Sequence, residues 1–182
     1  LEFRRVLFRS GVEGLVEITG ANASFAAGAQ ANFGSSTIQV RRAWVAANSR
    51  LLVNIQVAPN TPPGPVTVTV TNGLRSAVLP FGFTVSPQNP RALQLRVPVV
   101  DAATGAADVA AGAVATVRLQ APAETPAASL VVSVNDRATT VVGWSGGVLN
   151  FRVPTGLPAG AGVVKVTVNG ESAQLAMGID LP

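Results

Sequence analysis

Val66-Thr67-Val68-Thr69-Val70-Thr71-Asn72-Gly73 alternates apolar and hydroxyl residues without a break and ends on a turn dipeptide. Successive side chains of a strand point to opposite faces, so this stretch predicts a β-strand with one face in a core and one in water. The threonines are β-branched and suit the wet side of a pleated surface. The same alternation recurs outward in both directions, in Leu51–Val57, Val148–Val153 and Lys165–Val168. Between these runs lie Asn72-Gly73, Asn135-Asp136, Gly146-Gly147 and Asn169-Gly170, dipeptides that close tight hairpins, and the Pro-Gly connections Pro62-Pro63-Gly64 and Pro158-Ala159-Gly160. Short strands separated by such turns predict an all-β sandwich or barrel. The alanine-rich Ala106–Ala115 has helix-forming composition, but Gly105 precedes it and Gly112 interrupts it, so it reads as a loop running into a strand.

The chain also repeats itself. Leu52–Leu79 aligns without a gap on Val148–Leu175 at an offset of 96 residues, with ten identities in 28 positions, among them Asn54/Asn150, Pro62/Pro158, Gly64/Gly160, Val70/Val166 and Leu79/Leu175. That period is too long for a solenoid or propeller unit and fits one whole sandwich domain of roughly 100 residues. Two tandem immunoglobulin-like β-sandwiches are therefore expected, 11–86 and 91–182, joined by the Pro-rich linker 87–90. Pro98 lies inside the strand pattern Leu93–Val100; lacking an N–H, it predicts that this strand sits at a sheet edge or changes partners there.

Leu1–Ser10, LEFRRVLFRS, resembles the translation of a short-read sequencing-library adapter, CTG GAG TTC AGA CGT GTG CTC TTC CGA TCT, residue for residue. These ten residues are expected to stand apart from the fold, with the protein's own beginning upstream of Gly11. Setting them aside changes the charge balance. The full chain has 13 Lys+Arg against 9 Asp+Glu. Arg4, Arg5, Arg9 and Glu2 fall in the first ten, leaving 10 against 8. The sequence pI of 11.3 reflects the absence of groups titrating near neutrality, not a basic face. With a single lysine, no histidine and no cysteine, no nucleic-acid-binding stripe is expected. Charged residues make up only 12% of the chain, against a disordered tail, and no apolar run approaches the ~20 residues of a membrane helix.

Two resemblances attach to these residues. Val16-Glu17-Ile18-Thr19-Gly20-Ala21-Asn22, the Pro62–Gly73 hairpin and the closing Phe81-Gly82-Phe83-Thr84-Val85 make the first copy similar to IPT/TIG immunoglobulin-like domains. It departs from them in having one residue fewer before the turn glycine, which leaves the turn type open. In the second copy, Val148–Gly160 and Val166–Ser172 resemble a segment of C-terminal immunoglobulin-like domains common in large secreted proteins of soil acidobacteria. The resemblance covers about the last 40 residues, and nothing similar is recognised in Arg91–Ala127. Together they imply extracellular modules in series, and they bring no catalytic residues with them.

The candidate sites are few. Without histidine or cysteine, His-dependent triads, cysteine nucleophiles and ordinary zinc sites are unavailable. Beyond the first ten residues the acids are Glu13, Glu17, Asp101, Asp108, Glu124, Asp136, Glu171 and Asp180, scattered and mostly near turns. No catalytic residue, metal or cofactor is therefore expected. Asp101 and Asp108 bracket a loop of mostly alanines, thin for the six or more oxygens calcium takes, and an Asp-initiated turn is the simpler reading. Arg41 and Arg42 should point to opposite faces of a strand and make no common patch. The tryptophans are the candidate ligand contacts. Trp44, inside a strand pattern, reads chiefly as a core residue, and Trp144, in the turn region Val142–Gly147, as the better placed for exposure. The function expected is a non-catalytic structural or adhesion module of a secreted or surface protein. Its partners would be other domains of the same polypeptide, extracellular polysaccharide or a cell-surface protein. The alternative is an accessory carbohydrate-binding module of a secreted hydrolase.

Overall fold

In a computed structural model the chain divides into two compact units, Leu1–Pro90 and Arg91–Pro182. The structure describes residues 2–3, 7–21, 24–88, 93–122 and 125–181, with residues 2, 3 and 7 described by their backbone alone. Asn22 of the opening motif, Asn89 and Pro90 of the expected linker, and Glu124 lie outside the described residues.

The first unit packs two four-stranded sheets. One runs β1 (Glu2–Phe3), β3 (Glu13–Thr19), β6 (Arg50–Val57), β5 (Ile38–Ala47); the other runs β2 (Leu7–Arg9), β8 (Arg75–Ser86), β7 (Gly64–Asn72), β4 (Gln30–Asn32). All pairs are antiparallel except β2 on β8, which is parallel. Val16, Ile18, Leu51, Val53 and Ile55 from one sheet meet Val68, Val70, Phe83 and Val85 from the other in one buried core. At its centre the Phe83 ring lies 5.0 Å from Phe33, edge to face, and 5.4 Å from Phe8. Edge-to-face contacts suit the opposite charges of ring edge and ring face.

The second unit repeats the plan. One sheet runs β14 (Val141–Ser145), β15 (Val148–Arg152), β11 (Val114–Gln120), β9 (Gln94–Asp101). The other runs β10 (Asp108–Ala110), β17 (Glu171–Asp180), β16 (Gly160–Val168), β12 (Val131–Val134), β13 (Arg137–Thr139). Again a short strand, β10, lies parallel on the last strand of its unit while its other neighbours are antiparallel. Two face-packed sheets in this order, with the opening strand divided between them, are the immunoglobulin-like arrangement. The core is Leu95, Val109, Val117, Val132, Leu149, Phe151, Val164, Leu175 and Met177, with one 3₁₀ turn at Ala127–Ser129 outside it.

The 96-residue period survives as geometry. β7 and β16 begin at Gly64 and Gly160, and β8 and β17 begin at Arg75 and Glu171. The hairpins between them close on equivalent residues but use different turns. In Asn169-Gly170 both residues have positive φ, 49° and 85°, a type I′ turn. In the first unit only Gly73 does, at 62°, at the first central position of a two-residue loop closed by Asn72 and Arg75, a type II′ turn. The missing residue before that glycine thus shifts it one place and changes the turn, not the register. Asn135-Asp136 and Gly146-Gly147 also carry positive φ throughout and close two-residue hairpins.

Three features depart from the sequence reading or sharpen it. Residues 7–10, expected to stand apart with the rest of the opening ten, take part in the fold: β2 lies along Thr84–Ser86, and Phe8 and Ser10 are buried. The backbone of Thr84–Ser86 has ladder positions to fill there, and Phe8 fills the core beside Phe83. Second, β6 does not alternate between a dry and a wet face, because Leu52 and Asn54 on its outer side are buried too. Third, Pro98 is where the sequence places it: β9 is an edge strand, and its register against β11 shifts across the cis Val97–Pro98 peptide.

Phe83→Ala should remove the centre of the aromatic cluster and destabilise the first unit by about 3–5 kcal/mol. Urea unfolding followed by NMR should show resonances of that unit lost at lower denaturant while those of the second hold.

Candidate functional site

The outer face of the β3-β6-β5 sheet in the first unit carries polar and aromatic side chains. Register sets its rows: Leu15, Asn54 and Arg42 lie side by side, and next to them Glu17, Leu52 and Trp44. Arg42 and Trp44 are two apart on β5, so they share a face, and the guanidinium carbon sits 4.7 Å from the indole centroid. That is cation–π distance. Glu17 is engaged from the other side by Arg50, whose Nε and Nη2 donate to the two carboxylate oxygens at 2.8 and 3.0 Å. Both partners are well exposed, so the pair fixes side-chain geometry more than it adds stability. The flanking long side chains explain why Leu52 and Asn54 are buried on a face without a second sheet over them.

Trp44 is therefore not the core residue that the strand pattern suggested. Its neighbours Ala43 and Val45 pack on the core, and alternation turns Trp44 the other way. Its ring is half-buried, and its Nε1 is shielded from solvent with no hydrogen-bond acceptor among the described residues. Such a donor costs free energy until it is satisfied.

Trp144 is the reverse case. It packs against the second core, and its Nε1 donates to the Thr125 carbonyl at 3.0 Å, pinning the 3₁₀ segment to β14. The sequence reading gave Trp144 the better placing for exposure; its ring is half-buried, as that of Trp44 is. The two tryptophans belong to different units, and nothing in the register brings them to one face.

The opposite faces expected of Arg41 and Arg42 assume regular alternation, and β5 breaks it between Val40 and Arg42. Arg41 is the extra residue of a bulge between Val40 and Arg42, and its Nη1 donates to Gln39 Oε1 at 3.4 Å. Asp101 initiates a turn: its Oδ1 accepts from the amides of Ala103 and Thr104 at 3.0 and 2.8 Å and from the Thr104 hydroxyl at 2.9 Å. These bonds, the Thr104 amide first, hold its carboxyl below the ordinary carboxylate range. Asp108 begins a strand in the opposite sheet, its carboxylate lying against the Cα of Gly178. The loop between them is a crossing from sheet to sheet, not a hairpin. Among the described residues no three His, Cys, Asp or Glu side chains come together as a metal site would need.

One residue that the sequence reading quoted only within a closing motif has an unusual setting. β8 carries a bulge: Val68 pairs with Leu79 but Val66 with Phe83, so Pro80, Phe81 and Gly82 face a single residue of β7. Phe81 is left-handed at φ 58° and 73% exposed, an unfavourable backbone and an unfavourable place for an aromatic. Gly82 is needed beside it, because a Cβ there would lie 2.7 Å from Leu79 Cδ2. The second unit has no such insertion, its β16–β17 register being regular throughout. The signal was present in the repeat: the gapless alignment ends at Leu79/Leu175, where the two extra residues begin.

No family profile matches the sequence, and no curated protein does. Among solved structures the chain is similar to titin domains Z1Z2 in complex with telethonin, at 12% identity over 100% of this chain and 93% of that one, TM-score 0.32. It is similar to domains 5–6 of the S-layer protein SbsC at 12% identity over 97% and 93%, TM-score 0.39. The mixed-linkage glucan utilization protein SGBP-B of Bacteroides ovatus, solved with a mixed-linkage heptasaccharide, matches at 11% identity over 99% of this chain and 46% of that one, TM-score 0.35. Each is a likeness of this chain to that structure and carries nothing about a site.

The Asp101 carboxyl is lowered in the folded state, so its contribution to stability is present above the ordinary aspartate value of about 3.9 and is lost as pH falls through the lowered folded value. In Asp101→Ala the melting temperature of the second unit should therefore lie below that of the unsubstituted chain near neutrality. The two should converge at the acid end of a calorimetric pH series.

Proposed function

We propose that the chain is a non-catalytic structural or adhesion module of an extracellular or cell-surface protein, working beside other domains of the same polypeptide. The observation that carries this reading is the repetition itself. Two sandwiches share the same last three strands at a constant spacing, and Glu17, Asp101 and Asp108 are each tied to local structure instead of converging. Catalysis needs acids, bases or nucleophiles brought within reach of one reacting atom. Here Glu17 is held by Arg50, Asp101 by its own turn, and Asp108 is set against Gly178.

We infer further that the first unit is of the IPT/TIG kind. Its closing strand supports this, with Phe83 and Val85 buried and Thr84 exposed between them, as does the buried Ile18 and Gly20 of its opening motif. For the second unit, the reading as an acidobacterial-type C-terminal domain rests on the Val148–Ser172 motif, which spans β15, β16 and the I′ hairpin.

A carbohydrate-binding role is the second reading, and the structure moves its support from Trp144 to Trp44. An indole on an outer sheet face, with a guanidinium beside its ring, has parts with which a sugar ring is stacked. Incubating the chain with a panel of insoluble and soluble polysaccharides, beside Trp44→Ala and Trp144→Phe, tests both readings. A structural module leaves all three proteins in the unbound fraction and the polysaccharides intact. Binding lost in Trp44→Ala but kept in Trp144→Phe would establish the carbohydrate reading instead, and released sugar would overturn the non-catalytic one.

A further inference from the structure

The short parallel strand at the start of each unit is held by very little of its own sequence. In the first unit Phe8 pairs with Val85, its ring enters the core beside Phe83, and its carbonyl accepts from the Ser86 hydroxyl at 3.2 Å. Two residues on, Ser10 is buried. Its amide donates to the Ser86 carbonyl at 3.0 Å and its hydroxyl to the Thr61 carbonyl at 2.7 Å. Arg9 between them is exposed. In the second unit Val109 pairs with Ile179 and is wholly buried, and Ala111, two residues on, is buried as Ser10 is. Leu7-Phe8-Arg9-Ser10 and Asp108-Val109-Ala110-Ala111 share no residue at any position. They share one pattern: an apolar side chain inward, one residue facing away, then a small side chain inward.

From this we infer that the edge of β8 at Thr84–Ser86 is a strand-receiving slot, which takes an extended segment in parallel and reads only two side chains of it. One must be apolar enough to reach Phe83, and the other, two residues later, small, with a hydroxyl gaining the bond to the Thr61 carbonyl. Main-chain hydrogen bonds supply attachment without regard to sequence, and the two inward positions supply the selection. The ligand class is thus an extended peptide segment of apolar–any–small pattern. The slot takes it from another polypeptide wherever the chain's own segment leaves it empty. Polymer-forming or adhesive contacts between proteins would then pass through a donated strand. The inference stands on the packing of β2 and does not depend on the carbohydrate or the structural-module reading.

The test empties the slot in the full chain with Phe8→Asp, because a carboxylate does not enter an apolar core. A fluorescent synthetic peptide of residues 5–12 is then titrated in, with the same peptide carrying aspartate in place of Phe8 as control. The expected result is saturable binding to the Phe8→Asp chain, at least about tenfold tighter than to the unsubstituted chain, whose own strand competes. The control peptide should not bind. Chemical shifts of Thr84–Ser86 should move on binding. A Phe8→Asp chain that keeps the first unit folded and ignores the peptide overturns the inference. If the substitution unfolds the first unit, excess peptide should refold it and restore its dispersed amide spectrum, and failure to do so overturns the inference equally.

Discussion

With no cysteine in the chain, no disulfide ties the two sheets of either unit together, and each sandwich is closed chiefly by apolar side chains. In immunoglobulin domains a disulfide between facing strands, packed against a tryptophan, commonly serves that purpose. Here both tryptophans lie outside the fully buried cores, and phenylalanine does the filling: Phe33, Phe83 and Phe8 in the first unit, Phe151 among valines and leucines in the second. Everything else follows from keeping those side chains dry. The strands must alternate, the turns must hold register, since a slip of one residue would turn every core side chain to water, and the ends of the sandwich must be plugged. Phe8 is such a plug, and the Trp144 indole, anchored to the Thr125 carbonyl, holds a loop against the flank of the second core.

Register is where local chemistry and packing agree most closely. The Asn-Gly, Asn-Asp and Gly-Gly pairs supply the positive φ that two-residue hairpins need, and alternation does the rest. The strands, their order in the last half of each unit and the edge position of Pro98 were readable from the sequence for this reason, because each is fixed by residues within a few positions of one another. The division of the opening strand between two sheets was not. It depends on which distant backbone has ladder positions to fill, and neither LFRS nor the Asp101–Asp108 loop carries a local mark of it. The expectation that residues 7–10 stand apart from the fold yielded to that long-range demand.

The candidate site was less legible, and for a related reason. A tryptophan in a strand is inward or outward according to a parity set by its neighbours. For Trp44 those are Ala43 and Val45, small residues that resemble an exposed face until their packing is known. Trp144 differs: a glycine-rich turn suggests exposure, yet its indole N–H is taken up by the Thr125 carbonyl and its ring rests half-buried on the second core. Phe81 left a trace only as the end of an alignment. Where sequence reasoning succeeded on a side chain, at Asp101, the decisive partners lie two or three residues away.

The bulge at Pro80–Gly82 has a further consequence, for how copies of this protein behave when crowded. Among the described residues no strand pairs with Arg75–Gly82 on the side away from β7, so this border is an open template of main-chain donors and acceptors. Two such borders brought together could zip into a continuous sheet and seed a fibril. They would run together only a few residues before meeting a proline that offers no donor and a left-handed phenylalanine that throws the next carbonyl out of line. The awkward conformation thus works against lateral growth along this border, where a straight strand would offer its neighbour an unbroken ladder.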